Sequence, residues 1–196
     1  MEQGYRKIKK SEIRELAQVM AECFVDYPLY GVFFPENEKK LKRVFYFFWF
    51  RLHVRRNYTY VDKEHDLVCS VKCPGDKDTS PIGLILNPLF LIPFLFIMPL
   101  KVYSLLSDFS KFDETEKIGC YDPERDVYVQ AICVLKEARG NGLFFDFFRK
   151  MDNGGSLYCE THTEQNRKIY EFLGFKTLKT GDWHGVTQYV MKREAV

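Results

Sequence analysis

An apolar run that ends at two closely spaced glycines constrains this chain more than any other feature. Residues 127–134 read Val-Tyr-Val-Gln-Ala-Ile-Cys-Val, which predicts a β-strand that is apolar on both faces and central in its sheet. Gly140 and Gly142 follow, and a helical apolar pattern begins at Leu143. A strand, a glycine turn and a helix in this order direct free backbone N–H groups and the helix dipole at one place. The junction therefore suits a phosphate or diphosphate group.

The glycine spacing alone does not identify a ligand. No Gly-Lys-Ser/Thr follows, so the turn is not a P-loop, and Phe145 stands where the dinucleotide fingerprint has its third glycine. A Gly-x-Gly pair by itself is typical of a plain tight turn. A second segment favours a binding site over a plain turn. It covers residues 166–175, Asn-Arg-Lys-Ile-Tyr-Glu-Phe-Leu-Gly-Phe, and together with the first segment it fits a known pattern.

The two segments together resemble the GNAT superfamily, whose members transfer an acyl group from coenzyme A to an amine. The loop of residues 139–142, Arg-Gly-Asn-Gly, is similar to the family's diphosphate loop. Asn166, Tyr170 and the pair Gly174-Phe175 are similar to its asparagine–tyrosine helix in both order and spacing.

The resemblance is uneven along the chain. It is good over about residues 126–193, weak over 5–75 and absent over 76–118. One departure falls in the loop itself, where Glu137 stands at a position that is usually Gln or Arg. A carboxylate near a diphosphate is unfavourable unless it points away, so this position affects the expected affinity more than the expected class of ligand.

The resemblance also implies the fold. We expect an α/β (α+β) protein, a GNAT-like single domain over residues 1–196 with a mixed central β-sheet of about six or seven strands flanked by helices. A proline-broken helical insertion, about residues 80–118, would precede the central strand. A chain of 196 residues suits one domain with a core large enough for a buried site.

Hydrophobic periodicity and turn residues locate the individual elements. Ser11 is expected to cap the first helix. The predicted helices cover residues 11–24, 38–56, 101–112, 143 to a stop at 153–155, and 166–173. The predicted strands cover residues 5–9, 58–62, 67–73, 127–134, 156–160, 175–180 and 187–192, with loops over 26–35 and 113–126 and a turn over 181–185.

Charge and cysteine content narrow the partners and the compartment. The net charge of +2 favours neither nucleic acid nor an acidic partner. The six cysteines form no Cys-x-x-Cys and no Cys/His set with zinc spacing, so we expect no metal site and a reduced, cytoplasmic protein. The first residues lack the apolar core of a signal peptide.

One apolar segment is at odds with a cytoplasmic protein. Residues 82–100 carry no charge and approach the length of a membrane span. Pro88, Pro93 and Pro99 would break a single helix into short pieces. We expect a buried or pocket-capping helical insertion and no membrane span, with membrane contact as the alternative that stays open.

The resemblance implies acetyl-CoA as the acyl donor and assigns residues to that coenzyme. The backbone at the end of the central strand would bind the pantetheine arm, the loop would bind the diphosphate, and the asparagine of the later helix would also contact the coenzyme. These positions are Ile132, Cys133, Val134, Arg139, Gly140, Asn141, Gly142, Leu143 and Asn166.

Direct attack of an amine on a thioester needs a proton donor for the leaving thiolate and a proton acceptor for the amine. The resemblance gives Tyr170 the first role, and a phenol with a pKa of about 10 carries its proton at neutral pH. Tyr170 as an ordinary core aromatic is the alternative. For the base we place Glu160 first and His162 second, and a water chain without any single residue stays open.

Aromatic residues suggest the class of acceptor. The pocket for the amine would be lined by Tyr27, Tyr30, Phe33, Trp183 and His184, which suits a small, apolar or ring-bearing primary amine. The same rings also fit an ordinary core. A non-catalytic sensor or scaffold module that binds acyl-CoA is the alternative function, and a homo-oligomer stays open.

Overall fold

The computed structural model describes residues 4–34, 43, 58–76, 100–151 and 155–195. The seven strands are β1 Tyr5–Lys7, β2 Tyr58–Asp62, β3 Leu67–Lys72, β4 Val127–Val134, β5 Leu157–Thr161, β6 Lys176–Trp183 and β7 Val186–Arg193. The α-helices in these ranges are α1 Ile13–Phe24, α2 Pro28–Phe33, α3 Leu100–Lys117, α4 Leu143–Lys150 and α5 Glu164–Phe172. Short 3-10 turns cover Lys10–Glu12 and Lys136–Ala138.

All seven strands form one mixed sheet in the order β1-β2-β3-β4-β5-β7-β6. Neighbouring strands are antiparallel except β4 and β5, which run parallel. The predicted architecture, a mixed sheet of six or seven strands flanked by helices, is confirmed. β4 has the predicted bounds and lies in the middle of the sheet, as its two apolar faces indicated.

Helices cover both faces of the sheet. One face packs against α4 and α5 through a cluster that includes Leu67, Cys69, Phe147, Phe148, Leu157, Tyr170 and Phe175. The other face packs against α1, α2 and α3 through a cluster that includes Leu16, Met20, Phe33, Val68, Val102, Ala131 and Trp183. Successive residues of β5 alternate between these faces, so Cys159 and Thr161 lie on one side and Tyr158 and Glu160 on the other.

Three sequence predictions are wrong in detail. Ser11 does not cap α1, because it lies inside the 3-10 turn that leads into the helix. The expected loop over residues 26–35 contains α2, whose first residue is Pro28, a favoured residue at the first helical position. The expected loop over residues 113–126 begins with the last turn of α3, where Lys117 pairs with Asp113 four residues earlier.

The closing hairpin is tighter than the sequence predicted. The turn between β6 and β7 consists of His184 and Gly185, not residues 181–185. Both have positive φ, 51° and 79°. Two consecutive left-handed residues define a type I′ turn, whose twist matches that of the flanking strands.

Several sequence predictions lie outside the described residues. These are the helix predicted over residues 38–56, of which only residue 43 is described, and residues 82–99 of the apolar segment 82–100. Residues 153 and 154 of the predicted helix stop also lie outside. Within the described ranges, no helix is both long and apolar enough to cross a membrane. All six cysteines are free thiols.

A buried carboxylate ties β4 to β5 where the two strands begin. Asp126 is fully buried and accepts hydrogen bonds from the Ser156 hydroxyl, from the Asp122 amide at 2.8 Å and from Lys192 Nζ at 3.0 Å. Burial acts to raise the pKa of Asp126, but these hydrogen bonds outweigh it and lower the pKa. The carboxylate therefore anchors the closed end of the β4–β5 pair.

We expect Asp126→Ala to lower the free energy of unfolding by about 3 kcal/mol, because it removes a fully buried, hydrogen-bonded carboxylate and leaves the partly buried Lys192 ammonium without its partner. Urea denaturation measures the change. Glu124→Ala is the control, since Glu124 carries the same charge on the exposed part of the same loop and its loss should cost less than about 0.5 kcal/mol. Equal losses in the two variants would contradict the anchoring role.

Candidate active site

The sheet opens between β4 and β5. Their parallel ladder joins only Val127 with Leu157 and Tyr128 with Tyr158. Beyond these residues β4 remains paired with β3 as far as Val134, and β5 remains paired with β7 as far as Thr161. The edges that face each other across the gap therefore present backbone groups without a sheet partner. Ile132, Cys133 and Val134 all lie on the β4 edge of this gap.

A glycine loop joins the end of β4 to the start of α4. Gly140 and Gly142 have φ values of 87° and 75°, a left-handed conformation that favours glycine. The first helical bond of α4 runs from the Asp146 amide to the Gly142 carbonyl at 2.9 Å, so the amides of residues 143–145 have no helical partner. A Cβ placed on either glycine would meet nothing within 4 Å. Residues 140–142 are exposed, so the turn that leads to these amides is open to solvent.

Two charged side chains flank this loop. Arg139 turns back over the strand end, where its Nε donates to the Val134 carbonyl at 3.1 Å. Glu137 lies in the preceding 3-10 turn, and its side chain is exposed. The loop amides and the Arg139 guanidinium thus remain near the end of the gap.

Helix α5 brings Asn166 and Tyr170 to the same region. Thr163 caps the helix, because its Oγ1 accepts from the Asn166 amide at 3.1 Å. The Tyr170 ring packs against Phe144, Phe148 and Phe175, with centroid distances of 5.2–5.9 Å. Burial raises the pKa of Tyr170 well above its ordinary value, so the phenol keeps its proton. The expected short helix and its tyrosine face are present.

Tyr27 crosses from the α1–α2 connection to the end of β5. Its hydroxyl lies 3.2 Å from Thr161 Oγ1 and accepts from the His162 amide at 2.8 Å. Burial raises the pKa of Tyr27, while hydrogen bonds from Thr161, His162 and Asn166 oppose the rise. Tyr27 therefore lies at the same end of the gap as Asn166 and Tyr170.

The predicted acceptor residues form an aromatic cluster that α3 completes. Phe33 and Trp183 are buried, and their ring centroids are 5.3 Å apart. Phe109 packs on Trp183 at 5.0 Å, and Tyr30 packs between Tyr27 and Phe33. Phe109 lies in the helix that the sequence predicted over residues 101–112, but the sequence pattern gave no sign that it joins this cluster.

His184 lies at the hairpin tip, where its ring packs edge-on against Trp183 with a centroid distance of 4.7 Å. It is half exposed, and its Nε2 is 3.4 Å from Asp108 Oδ2. The same oxygen accepts from Trp183 Nε1 at 2.9 Å. His184 therefore belongs to a contact that holds the hairpin onto α3.

Glu160 lies on the face of β5 that carries Tyr158, opposite the face of Tyr170. Its carboxylate accepts from Tyr128 at 2.5 Å and Tyr158 at 2.7 Å, and lies 3.4 Å from Lys117 Nζ. Burial raises the pKa of Glu160, and Lys117 and the two tyrosines oppose that rise. Burial disfavours the charge on Lys117, but the neighbouring carboxylates outweigh it and raise the Lys117 pKa. The two groups form a buried ion pair.

A second polar chain leads from the gap to the same lysine. His162 Nε2 lies 3.1 Å from Gln188 Oε1, and Gln188 Nε2 donates to Asp113 Oδ1 at 3.1 Å. Lys117 Nζ donates to the other oxygen of Asp113 at 2.6 Å. Burial lowers the pKa of His162 to about 4, although Gln188 and Asp113 act to raise it. His162 is therefore a neutral imidazole at physiological pH.

The low pKa of His162 predicts a stability that depends on pH. An unfolded histidine has a pKa near 6.5, so acid protonates the unfolded chain first and favours it. The contribution is fully present above pH 6.5 and is lost as the pH falls towards 4. Between pH 7 and pH 5 we expect wild type to lose about 2 kcal/mol more stability than His162→Gln, measured by urea denaturation. Parallel pH curves for the two proteins would refute this effect.

Comparisons with known proteins give structural matches only. No family model and no curated protein matches the sequence. Among solved structures, the chain is similar to the histone acetyltransferase HPA2 and related acetyltransferase from Corynebacterium glutamicum, with a TM-score of 0.65 and 13% identity over 98% of this chain and 96% of that one. It is also similar to arylalkylamine N-acetyltransferase 2 from Aedes aegypti, with a TM-score of 0.59 and 14% identity over 97% of both chains.

A third match is the C-terminal condensation domain of Ebony in complex with beta-alanyl-dopamine, with a TM-score of 0.64 and 10% identity over 97% of this chain and 98% of that one. At these identities the likeness concerns the path of the chain, which these three structures share with it almost from end to end. The parted parallel strands, the glycine loop and the asparagine–tyrosine helix agree with the resemblance found in the sequence. The chain therefore has the fold of the GNAT superfamily of N-acetyltransferases.

Proposed function

We propose that this protein is a cytoplasmic, single-domain N-acetyltransferase that moves an acetyl group from acetyl-CoA to a primary amine of a small molecule by direct attack. One observation carries the proposal: β4 and β5 part after two residue pairs, and the gap leads directly to an exposed glycine turn followed by the first amides of α4. An extended ligand with a diphosphate at one end fits such a surface, because it can pair with the strand edge and with the helix start together.

Different residues at the gap would bind different parts of the coenzyme. The β4 edge at Ile132, Cys133 and Val134 would bind the amide groups of the pantetheine arm. The loop of residues 139–143, Arg-Gly-Asn-Gly-Leu, would bind the diphosphate, and Asn166 would contact the arm from α5. Acetyl-CoA supplies an acetyl thioester whose carbonyl carbon is open to attack by an amine.

Tyr170 would act as the proton donor to the leaving thiolate. Its raised pKa keeps the phenol protonated, and its ring is fixed by Phe144, Phe148 and Phe175. A thiolate released in a buried site gains from a positioned O–H donor, because the negative charge is poorly solvated there. Glu160 remains a candidate for the opposite proton transfer, although its carboxylate faces Lys117 and two tyrosines.

The aromatic cluster supports a ring-bearing acceptor. Tyr27, Tyr30 and Phe33 from the α1–α2 region meet Phe109 and Trp183 beside the end of the gap. Rings of this kind bind apolar and aromatic groups better than flexible polycations. Two of the structural neighbours are arylalkylamine N-acetyltransferases by name. We therefore expect 2-phenylethylamine to be a better substrate than spermine.

Gly142→Ala should weaken coenzyme binding about tenfold, because a left-handed alanine costs about 1 kcal/mol and shifts the loop amides. Isothermal titration with coenzyme A measures the affinity. Gly31→Ala is the matched control, since Gly31 lies in α2 with ordinary φ and open space around it. Wild-type affinity in both variants would place the diphosphate elsewhere.

Tyr170→Phe should lower kcat at least a hundredfold while the affinity for coenzyme A changes less than twofold. Thiol release from acetyl-CoA with an amine panel gives the rate. Tyr189→Phe removes a hydroxyl that meets Glu164 on the surface, and this control should keep the wild-type rate. Tight binding of acetyl-CoA without thiol release on any amine would favour the sensor function instead.

A further inference from the structure

The hydroxyl of Tyr27 holds a position that its role as a lining residue does not explain. It accepts from the His162 amide at 2.8 Å and lies 3.4 Å from His162 Nδ1. Asn166, which is one helical turn before Tyr170, acts to lower the pKa of the same hydroxyl. Tyr27 is also one of the groups whose charge would raise the pKa of Tyr170. One phenol thus connects the gap to the imidazole behind it.

The donor and acceptor roles along this chain of hydrogen bonds follow from Lys117, the residue farthest from Tyr27. Lys117 only donates, so Asp113 accepts from it and also accepts from the amide nitrogen of Gln188. That orientation turns Gln188 Oε1 towards His162 Nε2 at 3.1 Å, which requires Nε2 to carry the proton. The other ring nitrogen, Nδ1, is therefore the acceptor, and it faces the Tyr27 hydroxyl.

We infer that Tyr27 and His162 form the proton-accepting pair for the acceptor amine, with Gln188 and Asp113 as positioning residues. The inference rests on the proposed N-acetyltransferase reaction. In this arrangement the Tyr27 O–H points at His162 Nδ1, while its oxygen accepts from the His162 amide and from the Thr161 hydroxyl 3.2 Å away. The N–H of the bound amine would take the place of the Thr161 hydroxyl on that oxygen. The distance of 3.4 Å is long, as catalytic hydrogen bonds often are before substrate binds.

The proton balance closes within the site. The N–C bond forms and the C–S bond breaks. The amine proton moves to Tyr27 Oη while the Tyr27 proton moves to His162 Nδ1, and Tyr170 gives its proton to the leaving sulfur. The imidazolium then returns a proton through Tyr27 to the Tyr170 phenolate, so the enzyme regains its starting state with a neutral amide and a free thiol as products.

A weak base is sufficient for this step. The amine that attacks is the neutral form, which has already given its extra proton to water, because an ammonium ion has no lone pair. Its nitrogen becomes strongly acidic once it bonds to the acyl carbon, since it then carries a positive charge next to an electron-withdrawing carbon. Neutral His162 can take such a proton, and Asp113 stabilises the resulting charge. Glu160 suits the step less well, since three donors already engage its carboxylate on the other face of β5.

The kinetic test compares Tyr27→Phe, His162→Gln and the double variant, with 2-phenylethylamine or the best amine of the panel. Each single variant should lose at least a hundredfold in kcat, and the double variant should lose no more than the worse single one, because the pair acts as a unit. Coenzyme A affinity should stay within twofold. Tyr189→Phe is the control, since it also removes a tyrosine hydroxyl but lies outside the aromatic cluster, beside Arg167 of α5, and it should keep the wild-type kcat.

A structural readout covers the case in which a variant fails to fold. Nitrogen-15 NMR of labelled histidine should show His162 of the wild type protonated on Nε2 and not on Nδ1. Gln188→Met should mix the two tautomers and lower kcat without changing coenzyme affinity, which would show that Gln188 acts through His162. An Nδ1-protonated ring in the wild type would overturn the inference.

The remaining outcomes separate the two proposals. If wild type turns over and Tyr27→Phe keeps kcat within threefold, or if the two single losses multiply in the double variant, the pair is rejected and the transferase stands. If wild type binds acetyl-CoA but releases no thiol with any amine, the transferase is rejected and the pair with it.

Discussion

The parting of β4 from β5 is the constraint on which the rest of this structure depends. A parallel pair normally continues as long as both strands extend, because each lost ladder bond leaves a polar group unpaired. Here the pair is anchored at its start by Asp126, and each strand is held on its outer edge by β3 or β7. The sheet can thus stay intact while one internal seam opens for a ligand.

Local signals in the sequence predicted the elements that bound this seam. The apolar run of β4, the two glycines after it and the amphipathic pattern of α4 are each decided within a few residues, and the structure places all three as expected. The opening itself could not be predicted, since an apolar strand has the same sequence pattern whether one of its edges is paired or free.

Side chains whose partners come from distant segments were the ones the sequence missed. Gln188 is polar and fully buried on β7, and only its contacts with His162 and Asp113 explain it. Asp113 and Lys117 were assigned to a loop because the segment is mostly polar. The structure continues α3 through them, since one face of that turn packs its charges against the sheet. Helix α3, which lies in the part of the chain without family resemblance, therefore supplies residues to the centre of the site.

The two polar systems that meet at Lys117 differ in the desolvation free energy that the fold bears before a reaction. The carboxylate of Glu160 and the ammonium of Lys117 are already in contact at rest, so the fold bears the desolvation of this pair whether or not substrate is present. The chain from Tyr27 to Gln188 is neutral at rest and, in the proposed reaction, would gain charge only as a proton moves, when Asp113 is already in place to attract it. An interaction that strengthens only as the reaction proceeds lowers the barrier without tightening the ground state. The sheet thus keeps the contact between Glu160 and Lys117 on the face of β5 that faces α3, whereas the proposed charge on His162 would arise only at the end of the seam where the amine would react.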